Sequence, residues 1–126
     1  MKKTTILICD DESGVRDSLK LILDSEYELL YATNGQELLE MLRDKKIDPA
    51  LVIMDVKMPR LGGLETLPHI KKLRPRIRVL IATGYESSDV ASQAINLGAD
   101  DYLVKPFDRF QVRSKVVSLV GPASAP

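Results

Sequence analysis

The chain has 126 residues, with 18 basic and 18 acidic side chains and a formal net charge of zero. That length is one domain's worth of protein, and a single cysteine excludes both an intramolecular disulfide framework and cysteine-based zinc sites. The missing basic excess argues against direct nucleic-acid binding by this chain, and a hydrophobic content of 44% argues against disorder.

The N-terminal Met1-Lys2-Lys3-Thr4-Thr5 is basic, but the apolar stretch behind it is only Ile6 to Cys9 and acidic residues follow at once, so it is no secretory signal. No apolar run reaches the ~18 residues of a membrane span. A cytoplasmic protein without membrane contact is expected. Thr4 to Cys9, short and rich in β-branched residues, reads as a first strand ending in Asp10-Asp11-Glu12. Ser13 is placed to cap a helix whose apolar residues Val15, Leu19, Ile22 and Leu23 follow helical spacing. Tyr27 to Ala32 reads as a second strand. Asn34, with Glu37 three residues on, forms the pattern of a capping box before a helix with a buried stripe of Leu38, Leu39 and Leu42. After Pro49 comes Ala50-Leu51-Val52-Ile53-Met54, a continuous apolar run of the kind that parallel sheets bury on both faces, and it stops at Asp55.

A loop with Met58-Pro59 and Gly62-Gly63 leads into a helix carrying Leu64, Leu67, Ile70 and Leu73. Pro68 is expected near its first turn, where a missing N–H does least harm, and Arg74-Pro75 ends it. Val79 to Ala82 reads as a fourth strand, stopping at Thr83-Gly84. A helix from about Glu86 to Leu97 closes at Gly98. Tyr102-Leu103-Val104 reads as a fifth strand, ending in Lys105-Pro106, and a last helix is expected from about Phe107 to Leu119. Residues 1–120 thus form one domain, and 121–126, small and proline-rich, read as a flexible tail or the start of a linker.

Strand and helix alternate five times, which implies a parallel sheet with helices on both faces in a doubly wound sandwich. In such sheets ligands bind outside the carboxyl ends of the strands, at the point where strand order reverses. The polar residues collect there: Asp10 and Asp11 after the first strand, Asp55 after the third, Thr83 after the fourth and Lys105 after the fifth. Two like charges 4 Å apart at an effective dielectric of 20 repel by about 4 kcal/mol, so converging carboxylates need counter-charge. Lys105 supplies one unit and a divalent cation two more. Carboxylate and carbonyl oxygens suit Mg²⁺ or Mn²⁺, and a hydroxyl and an ammonium facing such a cluster suit a phosphoryl group.

Asp10-Asp11, the apolar run into Asp55-Val56-Lys57-Met58-Pro59 with Gly63, Thr83-Gly84 and Lys105-Pro106-Phe107 each close a predicted strand. Together, from about Thr4 to Val120, they resemble the receiver domain of two-component response regulators. The resemblance implies a flavodoxin-like (βα)5 sandwich with strand order 2-1-3-4-5, acting as a phosphorylation switch rather than an enzyme on an external metabolite. Asp55 then corresponds to the phosphoacceptor, served by a phosphohistidine on a sensor histidine kinase or histidine phosphotransfer protein. Asp10, Asp11, Asp55 and the backbone carbonyl of Lys57 correspond to the Mg²⁺ ligands. Lys105 and Thr83 correspond to the groups that contact the phosphoryl oxygens, and Tyr102 to the aromatic switch that changes rotamer with Thr83. Output is expected through the fourth helix, fifth strand and last helix, toward an effector protein or domain or a phosphorylation-induced homodimer. Lys57 and Tyr85 fall where receivers border the water that hydrolyses the acyl phosphate.

Rival readings are a Mg²⁺-dependent phosphohydrolase with Asp55 as nucleophile, a nucleotide or flavin module, and a phosphorylation-independent docking module of the same fold. Lys57 stands where the phosphohydrolases carry a second acid, and Cys9-Asp10-Asp11-Glu12 lacks a glycine-rich phosphate cradle. Cys9 reads as a small core residue, while His69 and the basic stretch from Lys71 to Arg78 read as solvated surface. In the last helix Val112, Val116 and Leu119 form the buried stripe. Phe110 and Val117 fall on another face, read as partial burial in preference to a docking or dimer patch.

Overall fold

The computed structural model describes residues 3–84 and 88–121. Its elements, in chain order, are β1 (Thr5–Cys9), α1 (Ser13–Leu23), β2 (Glu28–Ala32), α2 (Gly35–Arg43), β3 (Leu51–Asp55), α3 (Gly63–Leu73), β4 (Arg78–Thr83), α4 (Ser88–Asn96), β5 (Asp101–Val104) and α5 (Arg109–Val120). All strand pairs are parallel, in the order β2-β1-β3-β4-β5. Strand order reverses between β1 and β3, which puts the switch point between them.

The apolar runs are continuous because both faces of the sheet are covered. Leu7, Cys9, Val52, Met54, Val79 and Ile81 point to one face and pack against Leu38, Leu42, Leu67 and Ile70 of α2 and α3, with Ala94 of α4. Their neighbours Ile6, Ile8, Leu51, Ile53, Leu80 and Ala82 point to the other and pack against Leu19, Ile22 and Leu23 of α1 and Val112 and Val116 of α5. Burying each such aliphatic side chain contributes about 1.5–3 kcal/mol. Among the described residues no helix is long and apolar enough to cross a membrane.

Local differences from the sequence reading have physical causes. Ser13 is the first residue of α1, and Glu12 is the N-cap, with no side-chain cap bond. The Asp10 carboxylate accepts from the Glu12 N–H at 2.9 Å, which turns the chain one residue earlier than expected. Asn34 does cap α2, accepting from the Glu37 N–H at 2.8 Å, but the Glu37 carboxylate takes the N–H of Thr33 rather than that of Asn34. Pro68 lies inside α3, beyond the first turn, on its exposed side.

The loop from α4 to β5 is fixed by Gly98 and Asp100. Gly98 has φ +115°, and a Cβ there would press on Lys71. Asp100 accepts from the Val79 N–H at 2.8 Å, from Lys71 at 3.1 Å and from Arg78 at 3.1 Å, joining α3, β4 and β5. Burial, the largest single influence, would raise its pKa. The Val79 N–H and the two cations outweigh it and hold the carboxyl below its ordinary value.

In α5 the Asp108 carboxylate caps the helix at the Phe110 N–H, so the helix begins two residues later than expected. Val112 and Val116 are buried as read, but Phe110 is 83% exposed and Val117 is exposed too, which overturns partial burial for that face. The expected start of α4 at Glu86, Tyr85 and the segment 122–126 lie outside the described residues.

Candidate functional site at the carboxyl edge of the sheet

Register brings the polar residues together. Cys9 of β1 pairs with Met54 of β3, so Asp10 and Asp55 emerge side by side. Asp55 pairs with Ala82 of β4, which sets Thr83 one residue beyond, and Thr83 pairs with Val104 of β5. The Lys105 N–H continues this ladder to the Thr83 carbonyl at 2.8 Å, and the Lys105–Pro106 peptide is cis. Asp10 is 2% exposed, Asp55 6% and Thr83 1%, while Asp11 is open to solvent.

One carboxylate oxygen from each of Asp10, Asp11 and Asp55 lies within 4.8 Å of the other two. Lys105 Nζ reaches into this group, 3.1 Å from Asp10 Oδ2 and 3.4 Å from Asp55 Oδ2. Burial raises the pKa of Asp55 above its ordinary value. Lys105 opposes this and Asp10 adds to it. Burial also pulls Lys105 down, but its bond to Asp10 and the two carboxylate charges outweigh that and leave it raised, hence charged. The Lys105 ammonium by itself does not balance three carboxylates. The donor set is oxygen only, partly buried and open on the Asp11 side, which suits a small hard divalent cation.

The loop after β3 is drawn tightly against this cluster. The Gly63 N–H donates to the Val56 carbonyl at 2.9 Å, and a Cβ on Gly63 would run into the Asp55 carbonyl oxygen. Glycine is therefore required by close approach, with no special φ needed. Lys57, Met58 and Pro59 share a cleft with Asp11, so Lys57 borders the cluster. Beneath the cluster, burial foremost and then the Asp10 charge push the Cys9 thiol well up. Its S–H faces the Asn34 carbonyl at 3.3 Å and Met58 Sδ at 3.5 Å.

Of the sequence-predicted site residues, Asp10, Asp11, Asp55, Thr83, Lys105 and Lys57 meet at one edge. Tyr102 does not join them. It is 38% exposed on the edge strand β5, with Lys115 Nζ 5.2 Å from its ring centroid and 2.9 Å from Asp101 Oδ1. Sequence reasoning missed Arg16, whose Nη1 donates to the backbone carbonyl of Asp10 at 2.7 Å. The available signal was a cation in the first turn of a helix, where the macrodipole disfavours it.

A doubly wound parallel sheet whose carboxyl edge gathers an acidic pair, a third aspartate, a threonine and a lysine defines a receiver-type α/β domain. The response regulator receiver domain matches residues 6–117, and the chain belongs to that family. Receiver domains are signalling phosphoacceptor domains of two-component systems rather than classical enzymes. They bind Mg²⁺ at an acidic pocket, and the family implies sensor kinase partners and effector domains. The chain is 35% identical over 117 residues to sporulation initiation phosphotransferase F of Bacillus subtilis, covering 92% of this chain and 93% of that one. It is 40% identical over 114 residues to the transcriptional regulatory protein ZraR of Klebsiella oxytoca, covering 88% of this chain but only 25% of that protein. The chain thus spans about a quarter of the length of ZraR. The crystal structure of the CheX-CheY-BeF3-Mg complex from Borrelia burgdorferi superposes with a TM-score of 0.85 at 26% identity, covering 91% of this chain and 87% of that one.

Proposed function

We propose that Asp55 accepts a phosphoryl group from a phosphohistidine on a sensor histidine kinase or histidine phosphotransfer protein, and that the modified domain signals through α4, β5 and α5. The observation that carries this reading is the setting of Asp55. It is buried beside a second buried carboxylate, with Lys105 3.4 Å away and a hydroxyl on the adjacent strand. An Asp55 carboxylate oxygen attacks phosphorus, the P–N bond breaks, and its electron pair stays on the imidazole nitrogen. Water later cleaves the acyl phosphate to inorganic phosphate and restores the carboxylate.

The oxygen donors of Asp10, Asp11 and Asp55, with the backbone carbonyl of Lys57, fit Mg²⁺ or Mn²⁺. Such an ion would supply the positive charge that this cluster lacks and that phosphoryl oxygens need. Lys105, already charged, is placed to pair with a phosphoryl oxygen, and Thr83 to donate its hydroxyl to another. Drawing Thr83 forward frees space behind it. Tyr102, on the strand beside Thr83, is the group that can turn inward to fill it, a local charge event that biases a two-state element.

The face that would change carries exposed Tyr102 on β5 and Ile95 on α4, with Lys115 of α5 over the Tyr102 ring, and suits an effector protein, an effector domain or a second phosphorylated copy. The BeF3–Mg content of the Borrelia complex and the phosphotransferase name of the Bacillus relative support the same chemistry. Residues 1–120 form the proposed switch domain, and 121–126 the tail or linker. Incubation with acetyl phosphate and Mg²⁺ should raise the intact mass by one phosphoryl group in the wild type and not in Asp55→Asn. An equal gain in that variant would refute the acceptor.

A further inference from the structure

We propose that Arg16 is a positioning residue that fixes the peptide between Asp10 and Asp11 and so holds the Asp11 carboxylate where a cation can use it. This rests on the reading of Asp10, Asp11 and Asp55 as a cation site. Arg16 is the fourth residue of α1, and helical side chains lean toward the N-terminus. Its guanidinium therefore lies back over the loop that joins β1 to α1. There Nη1 donates to the Asp10 carbonyl at 2.7 Å, a short charge-assisted bond to a nearly buried residue.

The other groups of Asp10 are also held. Its N–H continues the sheet to the Ala32 carbonyl at 3.1 Å, and its carboxylate takes the Glu12 N–H and Lys105. The peptide leading to Asp11 cannot turn without turning the Asp10 carbonyl, and Arg16 grips that carbonyl. Asp11 itself is open to solvent, so its direction depends on that plane. The position of Arg16 runs against the helix dipole, which favours anions in a first turn. The bond that Arg16 makes runs out of α1 to the Asp10 carbonyl in the loop before it.

The sign of the effect separates positioning from plain electrostatics. Removing a cation near an anionic cluster would by charge alone tighten binding of a second cation. Loss of a group that orients a metal ligand instead weakens metal affinity, typically 10- to 100-fold. The test is calorimetric titration of the full chain with MgCl₂, beside its melting temperature without metal. Arg16→Met should weaken Mg²⁺ binding by about tenfold or more, and Arg16→Lys, which restores charge and a donor, should recover most of it. Arg16→Gln, too short to span the same gap but compatible with the helix, should show the same loss and serves if Arg16→Met does not fold. A merely structural arginine would lower the melting temperature and leave the Mg²⁺ affinity of the folded protein where it was. Binding as tight as or tighter than wild type in the loss variants overturns the inference. Absence of Mg²⁺ binding in the wild type overturns the cation-site reading itself, and the inference with it.

Discussion

Asp55 sits in surroundings that resist its charge. Burial raises its pKa and Asp10 adds repulsion, while Lys105 foremost and then the Val56 N–H pull the other way. Like charges within 4.8 Å and opposite charges at 3.4 Å each interact by on the order of 4 kcal/mol at an effective dielectric of 20, so the net is a small difference of large opposing effects. Two substitutions should therefore move stability in opposite directions. In metal-free protein, Asp55→Asn removes one buried negative charge and should raise stability by about 1 kcal/mol, a few degrees in melting temperature. Lys105→Met leaves Asp10 and Asp55 without their cation and should cost about 2–3 kcal/mol, since breaking one side of a buried pair strands the other. Thermal melts of both variants beside wild type, in chelator, check this. Two changes of the same sign would contradict the charge balance described for this edge.

The elements place these side chains through main-chain contacts that the sequence does not display. α3 begins hard against the end of β3 because Gly63 has no Cβ to meet the Asp55 carbonyl. Gly63→Ala should push the loop away, costing about 1–3 kcal/mol in denaturant unfolding and slowing phosphoryl acceptance by Asp55. At the corner of α3, β4 and β5, Asp100 has a folded pKa below its unfolded value. Its stabilisation is thus present above the ordinary carboxylate pKa of about 3.8 and is lost as pH falls through that value toward the folded one. Asp100→Asn should cost about 1.5–3 kcal/mol near pH 7 and nothing at the acid end, so its stability curve should fall less steeply on acidification than that of wild type. β1, β3 and β4 were legible because strands covered on both faces read as unbroken apolar runs. Asp10, Asp55, Thr83 and Lys105 were legible because each interrupts or ends such a run. Arg16, the close approach that Gly63 permits, and the Val79 N–H that Asp100 accepts were not, since carbonyls and N–H groups look the same at every position of a sequence. The early start of α1 was hidden for the same reason, as it follows from the Asp10 carboxylate taking a backbone N–H. The stripe that the sheet covers, Val112 and Val116, was legible, but the exposure of Phe110 was hidden because helical spacing does not say whether a neighbouring element covers the other face.

At the scale of the whole molecule, the fold is a frame that gathers its site residues at the carboxyl edge of the sheet. Two layers of helices protect the sheet, and the strand ends at its switch point present acids, a hydroxyl and an ammonium to a single small volume. Asp55 on β3 is joined through β4 to β5, so a charge placed on it would lie two strands from the proposed output face of α4, β5 and α5. The phosphoryl group is expected on Asp55 and on no other aspartate. Borohydride reduces an aspartyl phosphate to homoserine and leaves free aspartate unchanged. The protein is to be phosphorylated with acetyl phosphate and Mg²⁺, reduced with borohydride, digested and sequenced by mass spectrometry. Homoserine is expected at position 55, dependent on Mg²⁺ and on the phosphodonor. Homoserine at Asp10, Asp11 or any other aspartate, or intact aspartate at position 55 in protein that has gained a phosphoryl group, would contradict it.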